Sequence, residues 1–170
     1  GRAAGTKSLY TNSSSSNAWT FSGATNLECN GKLDRLLQDD LGGDNDILTI
    51  GANCFSYMFY NATTLIKAPE LPAMTLATSC YNQMFAGCTK LATAPALPAT
   101  TLATSCYQNM FNNCSGLTTA PELPATILAD NCYKQMFAGC KSLTTAPELP
   151  ATILANNCYQ NMFYGCTSLT

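Results

Sequence analysis

Ten cysteines are the residues with the most chemical potential in this sequence of 170 residues. Nine of them form two columns whose members recur every 26 residues, and the cysteines of the two columns alternate 8 and 18 residues apart. This spacing contains no Cys-x-x-Cys pair of the kind that binds zinc or performs thiol redox chemistry. Both columns occupy apolar positions, where cysteine acts as a small buried hydrophobe. We therefore favour stacked thiols, although repeats at strand spacing would also permit disulfides between them.

Histidine is absent, which removes the commonest general base and the commonest metal ligand. Catalysis by Ser-His-Asp or Cys-His groups is therefore excluded, and we predict a non-enzymatic protein without a cofactor. The formal net charge of −2 allows no strongly basic face, so nucleic-acid binding is not expected. No apolar stretch reaches the ~18 residues that a membrane-spanning helix needs.

Two sets of exposed-type residues are candidate binding groups. Glu122 and Glu148 share one repeat position with Glu70, and they form either a solvated acidic face or a pair bridged by a cation. One tyrosine follows the first cysteine in each of four repeats. These side chains are either half-buried packing residues or a surface for sugar or protein recognition. The tyrosines are Tyr81, Tyr107, Tyr133 and Tyr159.

A third candidate site is an acidic, glycine-containing segment near the N-terminus. Asp40, Asp44 and Asp46 bring carboxylates together beside Gly42 and Gly43, and calcium prefers such oxygen ligands. The segment does not match the twelve-residue calcium loop with its terminal glutamate. A polar loop is the favoured interpretation, and calcium binding is the alternative.

The elements that must position these residues form an internal repeat of 26 residues. All eight prolines fall in four pairs at this step, from Pro69 and Pro72 to Pro147 and Pro150. A period of 26 lies within the range of leucine-rich repeats, and one such unit cannot bury its own apolar face. The sequence therefore predicts an α/β repeat solenoid, leucine-rich-repeat-like, with short parallel strands on one face and short helices on the other.

Each repeat contains two patterns that predict these elements. Leu154, Cys158, Met162 and Phe163 follow helical spacing, and Gly165 would end the helix. The segment Leu-Thr-Thr-Ala, as at 143–146, predicts a short strand that the next proline interrupts. The apolar positions that recur in register predict the core, which comprises Cys80, Cys88, Cys106, Cys114, Cys132, Cys140, Cys158, Cys166, Met84, Met110, Met136, Met162, Phe85, Phe111, Phe137 and Phe163.

The repeat also divides the chain. Residues 1–18 predict a flexible N-terminal segment, and 19–170 predict one solenoid. Within it, 19–53 form an N-terminal cap repeat with a helical insertion, and 54–170 form regular repeats that end without a polar cap. The last repeat should therefore expose an apolar end near Leu154, Met162 and Phe163, which predicts end-to-end self-association or a longer native protein.

The repeat resembles a known family in two strings of residues. The sequence Met-Phe-Tyr-Gly-Cys-Thr-Ser-Leu-Thr at 162–170 resembles the signature of BspA-like leucine-rich repeats. The sequence Thr-Ala-Pro-Glu-Leu-Pro-Ala-Thr at 145–152 is similar to a 26-residue subgroup common in Bacteroides-type surface proteins. The resemblance covers about 21–170, and it departs at Ala24 and Ala62, where the second cysteine is missing.

The resemblance implies a secreted or cell-surface protein of a gut bacterium. The implied function is adhesion, in which a solenoid face contacts a host protein or a glycan. A structural spacer within a larger surface protein is the alternative, and a hydrolase is less favoured because the sequence shows no pocket. The family offers no catalytic residues to transfer to this chain.

Overall fold

The computed structural model describes residues 25–33 and 50–170. The expected flexible segment 1–18 and the helical insertion near 34–46 lie outside the described residues. Most of the proposed cap repeat, 19–53, lies outside them as well. In the described part, no helix is long and apolar enough to cross a membrane.

Parallel pairing between successive coils builds the fold. Strand β1, Leu27–Glu28, pairs in parallel with β2, Leu65–Lys67, with Leu27 opposite Leu65. Beyond β2, parallel bridges join residues 26 apart, including Thr93 to Thr119 and Thr119 to Thr145. Each 26-residue repeat is thus one coil of a solenoid. The Leu-Thr-Thr-Ala segments pair at single residues rather than as strands, because a proline two residues later cannot donate to the ladder.

The predicted helices are wrong, because the described residues contain turns in their place. We call these segments the turn ribbons, and they span 53–62, 79–88, 105–114, 131–140 and 157–166. In the fourth ribbon, the N–H of Lys134 donates to the carbonyl of Asn131 at 3.2 Å. The neighbouring N–H of Tyr133 donates instead to the carbonyl of Cys158 in the next coil, at 3.0 Å.

This alternation runs through the first four turn ribbons. Even-numbered residues donate three residues back, and odd-numbered residues donate to the next coil. An α-helix would keep all these bonds within itself. The ribbon departs from a helix because every fourth residue has a positive φ, as at Asn131 (55°), Gln135 (52°) and Gly139 (76°). A left-handed residue cannot continue a right-handed helix.

The core lies inside the coils, and the ribbons supply it in pairs. Cys132 and Tyr133 are buried, the next two residues are partly exposed, and Met136 and Phe137 are buried again. This two-in, two-out order places residues i, i+4 and i+8 inside, as one face of a helix would. The predicted cysteine, methionine and phenylalanine columns are therefore inside, although the helix that predicted them is not present.

Two aromatic columns run along the solenoid through this core. Five phenylalanines from Phe59 to Phe163 stack with ring centroids 5.5–5.7 Å apart. The tyrosines stack beside them at 5.8–5.9 Å, and Phe55 occupies the first place of that column. Each ring therefore packs against its equivalent in the neighbouring coils.

The last described coil has a more open face than the coils before it. Leu154 is 62% exposed and Phe163 is half-buried, whereas Met162 is only 3% exposed. The prediction of an apolar end thus applies to Leu154 and in part to Phe163, and not to Met162. Among the described residues, no backbone carbonyl accepts a hydrogen bond from the odd-numbered N–H groups of 157–165.

A matched pair of glycine substitutions tests the turn-ribbon geometry. Gly139 and Gly165 both have positive φ, so alanine at either should cost about 1–2 kcal/mol of unfolding free energy. A Cβ on Gly139 would also meet the side chain of Asn113, whereas one on Gly165 has no neighbour closer than 3.8 Å. We expect G139A to lose about 1 kcal/mol more than G165A in urea denaturation. Equal losses would contradict this packing.

Candidate binding groove at the proline corner

A second corner of each coil carries the proline pairs, and it differs from the turn ribbons in having no ladder. Along 121–125 the burial alternates: Leu123 and Ala125 are buried, whereas Glu122 and Pro124 are exposed. Such alternation is typical of extended backbone. Within the described coils, no backbone hydrogen bond involves residues 94–99, 120–125 or 146–151. The prolines account for this gap, because they remove two donors from each segment.

Two adjoining cavities occupy this corner, and together we call them the proline groove. The first, of about 430 Å³, lies between 120–124 of one coil and Pro147, Glu148 and Pro150 of the next. The second, of about 350 Å³, lies between 94–98 and the same coil. Pro121, Glu122 and Pro124 line both cavities. The groove therefore crosses three successive coils, and each cavity has a volume typical of ligand sites.

Carboxylates are the charged groups of the proline groove. Glu122 and Glu148 are exposed and line the first cavity, and Glu122 also lines the second. Neither cavity is lined by lysine, arginine or an aromatic residue. Ala96 occupies the glutamate position of the coil before. The groove thus combines apolar proline walls with negative charge, and no cation from its own lining neutralises that charge.

The tyrosines that were candidate binding residues are in the core. Tyr81, Tyr107 and Tyr133 are at most 2% exposed, and only Tyr159, in the last coil, is half-buried. Burial raises the pKa of the Tyr107 and Tyr133 hydroxyls well above the ordinary value. The Tyr133 hydroxyl is buried without a hydrogen-bond partner. The expectation of an exposed tyrosine face is therefore wrong for the first three, because the two-in, two-out order turns both residues of the Cys-Tyr pair inward.

The ten cysteines all lie in the described residues, and they are thiols rather than disulfides. The second column has a specific contact: the Cys114 thiol donates to the carbonyl of Phe85 in the preceding coil at 3.0 Å. The same contact recurs from Cys88, Cys140 and Cys166 at 3.0–3.2 Å. Each of these thiols thus links two coils through a weak donor.

Burial strongly disfavours the thiolate form in both columns. Desolvation raises the pKa of Cys88 and of Cys106 to about 12, from an ordinary value of 9.0. A thiolate is the reactive form of cysteine, so these side chains are inert at neutral pH. Their arrangement is that of packing residues and not of nucleophiles.

A thiol count should reproduce this burial pattern. Only Cys29 and Cys166 are partly exposed, and the other eight cysteines are buried. At about pH 8, we expect a thiol-specific chromogenic reagent to modify these two readily and the other eight only on unfolding. The denatured protein should show ten thiols without added reductant. A lower count in the denatured protein would indicate disulfides and contradict the thiol columns.

The proposed metal sites have no support in the described residues, where no group of three or more cysteine, aspartate or glutamate side chains is placed to hold a metal ion. The calcium candidates Asp40, Asp44 and Asp46 lie outside the described residues. Glu122 and Glu148 are exposed together in one cavity, as their shared repeat position predicts.

Sequence analysis missed the groove itself. The proline pairs did indicate that the ladder would be interrupted at this corner. They gave no sign that the interruption would leave space between coils, because that space depends on the spacing set by the turn ribbons and the aromatic stacks. The usable signal was the exposed residue between the prolines, Glu122 or Glu148, in a segment without backbone partners.

Comparisons with known proteins give one structural likeness. No family model matches the sequence, and no curated protein matches it. Among solved structures, the chain is similar to a leucine-rich repeat protein of T. pallidum, with a TM-score of 0.44 and 15% sequence identity. The match covers 76% of this chain and 53% of that one, so this chain spans about half the length of the solved protein.

Proposed function

We propose that this chain is a non-enzymatic binding module that contacts a protein or glycan partner through the proline groove. The observation that carries the proposal is the pair of adjoining cavities across three coils, where the backbone has no internal partners. The chain has no histidine, and the cysteines of its core are buried. A recognition surface is therefore better supported than a catalytic one.

The proposal extends to the setting of the protein. The resemblance of the repeat to BspA-like leucine-rich repeats supports a secreted or cell-surface protein of a gut bacterium, with adhesion to host protein or glycan as its role. A core of ten thiols suits an oxygen-poor niche of that kind. End-to-end self-association through Leu154 and its neighbours remains part of the proposal, and sedimentation equilibrium over a concentration series would detect it.

Two arrays test the proposed function with one labelled protein. The chain is applied to a glycan array and to a display library of random peptides, and P124Y serves as the groove-filling variant. Pro124 is exposed and lines both cavities, so a tyrosine there should obstruct them. Pro72 has the same repeat position but lines neither cavity, which makes P72Y the matched control.

The expected result is binding to members of one array that P124Y loses and P72Y retains. Absence of binding to both arrays would overturn the proposed function and favour the structural spacer. Binding that P124Y and P72Y retain equally would place recognition outside the proline groove. Turnover of an arrayed glycan would favour the hydrolase instead.

A further inference from the structure

The proline groove has a chemistry that selects among partners, and this inference rests on the proposed function. Its walls are the apolar faces of Pro121, Pro124, Pro147 and Pro150, and its charged groups are two carboxylates. With no lysine or arginine in the lining, any cation that neutralises Glu122 and Glu148 within the groove must come from outside it. The charge therefore favours a cationic ligand and disfavours nucleic acid or an acidic chain.

The backbone of the groove favours a peptide as that ligand. Glu122 and Leu123 have extended backbone, and neither their N–H nor their carbonyl groups form a hydrogen bond within the described coils. Extended peptides bind to such edges by adding main-chain hydrogen bonds, while pockets accept alternate side chains. The alternating exposure along 121–125 gives the groove this period of two.

Other cationic or polar ligands fit less well. Calcium takes about six to eight oxygen ligands, whereas the groove offers two carboxylates and no cluster of three acidic groups. Sugar rings stack on aromatic faces, and no aromatic residue lines either cavity. Lysine and arginine combine an aliphatic stem with a charged head, so the stem can pack on proline while the head reaches a carboxylate.

We propose that the proline groove binds an extended, lysine- or arginine-containing peptide segment of a partner protein. The cationic head lies between Glu122 and Glu148, its stem packs against the proline walls, and the peptide backbone pairs with Glu122 and Leu123. Glu122, which lines both cavities, is the main specificity-determining residue. Ala96 leaves the second cavity with one carboxylate fewer than the first.

Three synthetic peptides of equal length test this class of ligand. One alternates lysine with proline, the second replaces each lysine by glutamine, and the third replaces each by glutamate. Fluorescence anisotropy measures the Kd of each peptide for the full chain at low and at physiological salt. We expect the lysine peptide to bind best and to weaken with added salt, because its head groups are partly screened.

Substitutions at one repeat position separate the groove from general surface charge. We expect the double variant E122Q/E148Q to raise the Kd of the lysine peptide by about tenfold or more, since hydrogen bonds to charged groups are strong ones. E70Q removes the same charge at a position outside both cavities and should leave the Kd unchanged. A96E adds a carboxylate to the second cavity and should tighten binding several-fold. Circular dichroism of each variant checks that the coils remain folded.

The outcomes distinguish this inference from the proposed function. If the glycan or peptide arrays give groove-dependent binding and the lysine peptide does not bind, the ligand class is wrong and the binding module stands. Equal binding of the lysine and glutamine peptides, or an equal effect of E70Q and E122Q/E148Q, would also overturn the inference. If neither the arrays nor the peptides bind, both proposals fail.

Discussion

Raising the pH above 9 should destabilise this protein steeply. The thiols of Cys88 and Cys106 have pKa values raised by burial to about 12, whereas a thiol in the unfolded chain titrates near 9.0. Between these values the folded state holds protons that the unfolded state has released, so stability falls as pH rises. The stabilisation is complete below pH 9 and is lost as pH approaches 12.

The size of this effect follows from the number of groups. Each such thiol should cost about 1.4 kcal/mol of unfolding free energy per pH unit within the window. Over two pH units, Cys88 and Cys106 together remove about 5 kcal/mol, which is comparable with the whole stability of many domains. Burial also raises the pKa values of Cys80, Cys114 and Tyr107, so these groups act in the same direction.

Urea denaturation over a pH series, with reductant present, measures this loss. Ala62 shows that the repeat accepts alanine at the second cysteine position, so C88A is a suitable control. That variant should lower the slope of stability against pH by about 1.4 kcal/mol per unit within the window. A stability that stays constant between pH 9 and 11 would contradict the burial of protonated thiols.

The repeat was predictable from the sequence because its chemistry is carried by residue types in register. Cys132, Met136 and Phe137 are buried in the structure at the positions that the 26-residue step assigned to the core. Parallel pairing was also predictable, since stacked identical coils leave few other options. At Thr119 and Thr145 the structure has the expected pairing, reduced to single bridges.

The helices were not predictable from apolar spacing alone. A helix and a turn ribbon both place Cys158 and Met162 on the inside, so the apolar pattern cannot separate them. The distinguishing signal was polar: Asn157, Asn161 and Gly165 recur every four residues, and asparagine and glycine tolerate positive φ. The hydrogen bonds between ribbons then favour the turn over the helix, and this is information that only the stacked coils contain.

The same ambiguity explains the tyrosines and the groove. Tyr133 would lie at the edge of a helical stripe, but in the ribbon it points inward beside Cys132. The proline groove arises where one corner of the coil lacks the bonds that hold the ribbons together. Its lining residues were visible in the sequence, whereas the space between them is a property of neighbouring coils.

Removing one ring from the centre of the phenylalanine column should be the most damaging single substitution in the core. Phe111 is fully buried and stacks on Phe85 and Phe137 at 5.6 and 5.7 Å. We expect F111A to cost about 3–5 kcal/mol, the usual range for a buried phenylalanine. Phe163 has one stacking neighbour and is half-buried, so F163A should cost about half as much.

Double variants show whether the column acts through nearest neighbours. In a solenoid each coil contacts only the coils beside it, so energetic coupling should end there. We expect F111A and F137A to interact by about 0.5–1.5 kcal/mol, as stacked aromatic pairs do. F59A and F163A lie at opposite ends of the column and should be additive within about 0.5 kcal/mol. Urea denaturation measures all four single and both double variants. Equal losses for F111A and F163A, or equal coupling in the two pairs, would mean that the core does not stabilise the solenoid coil by coil.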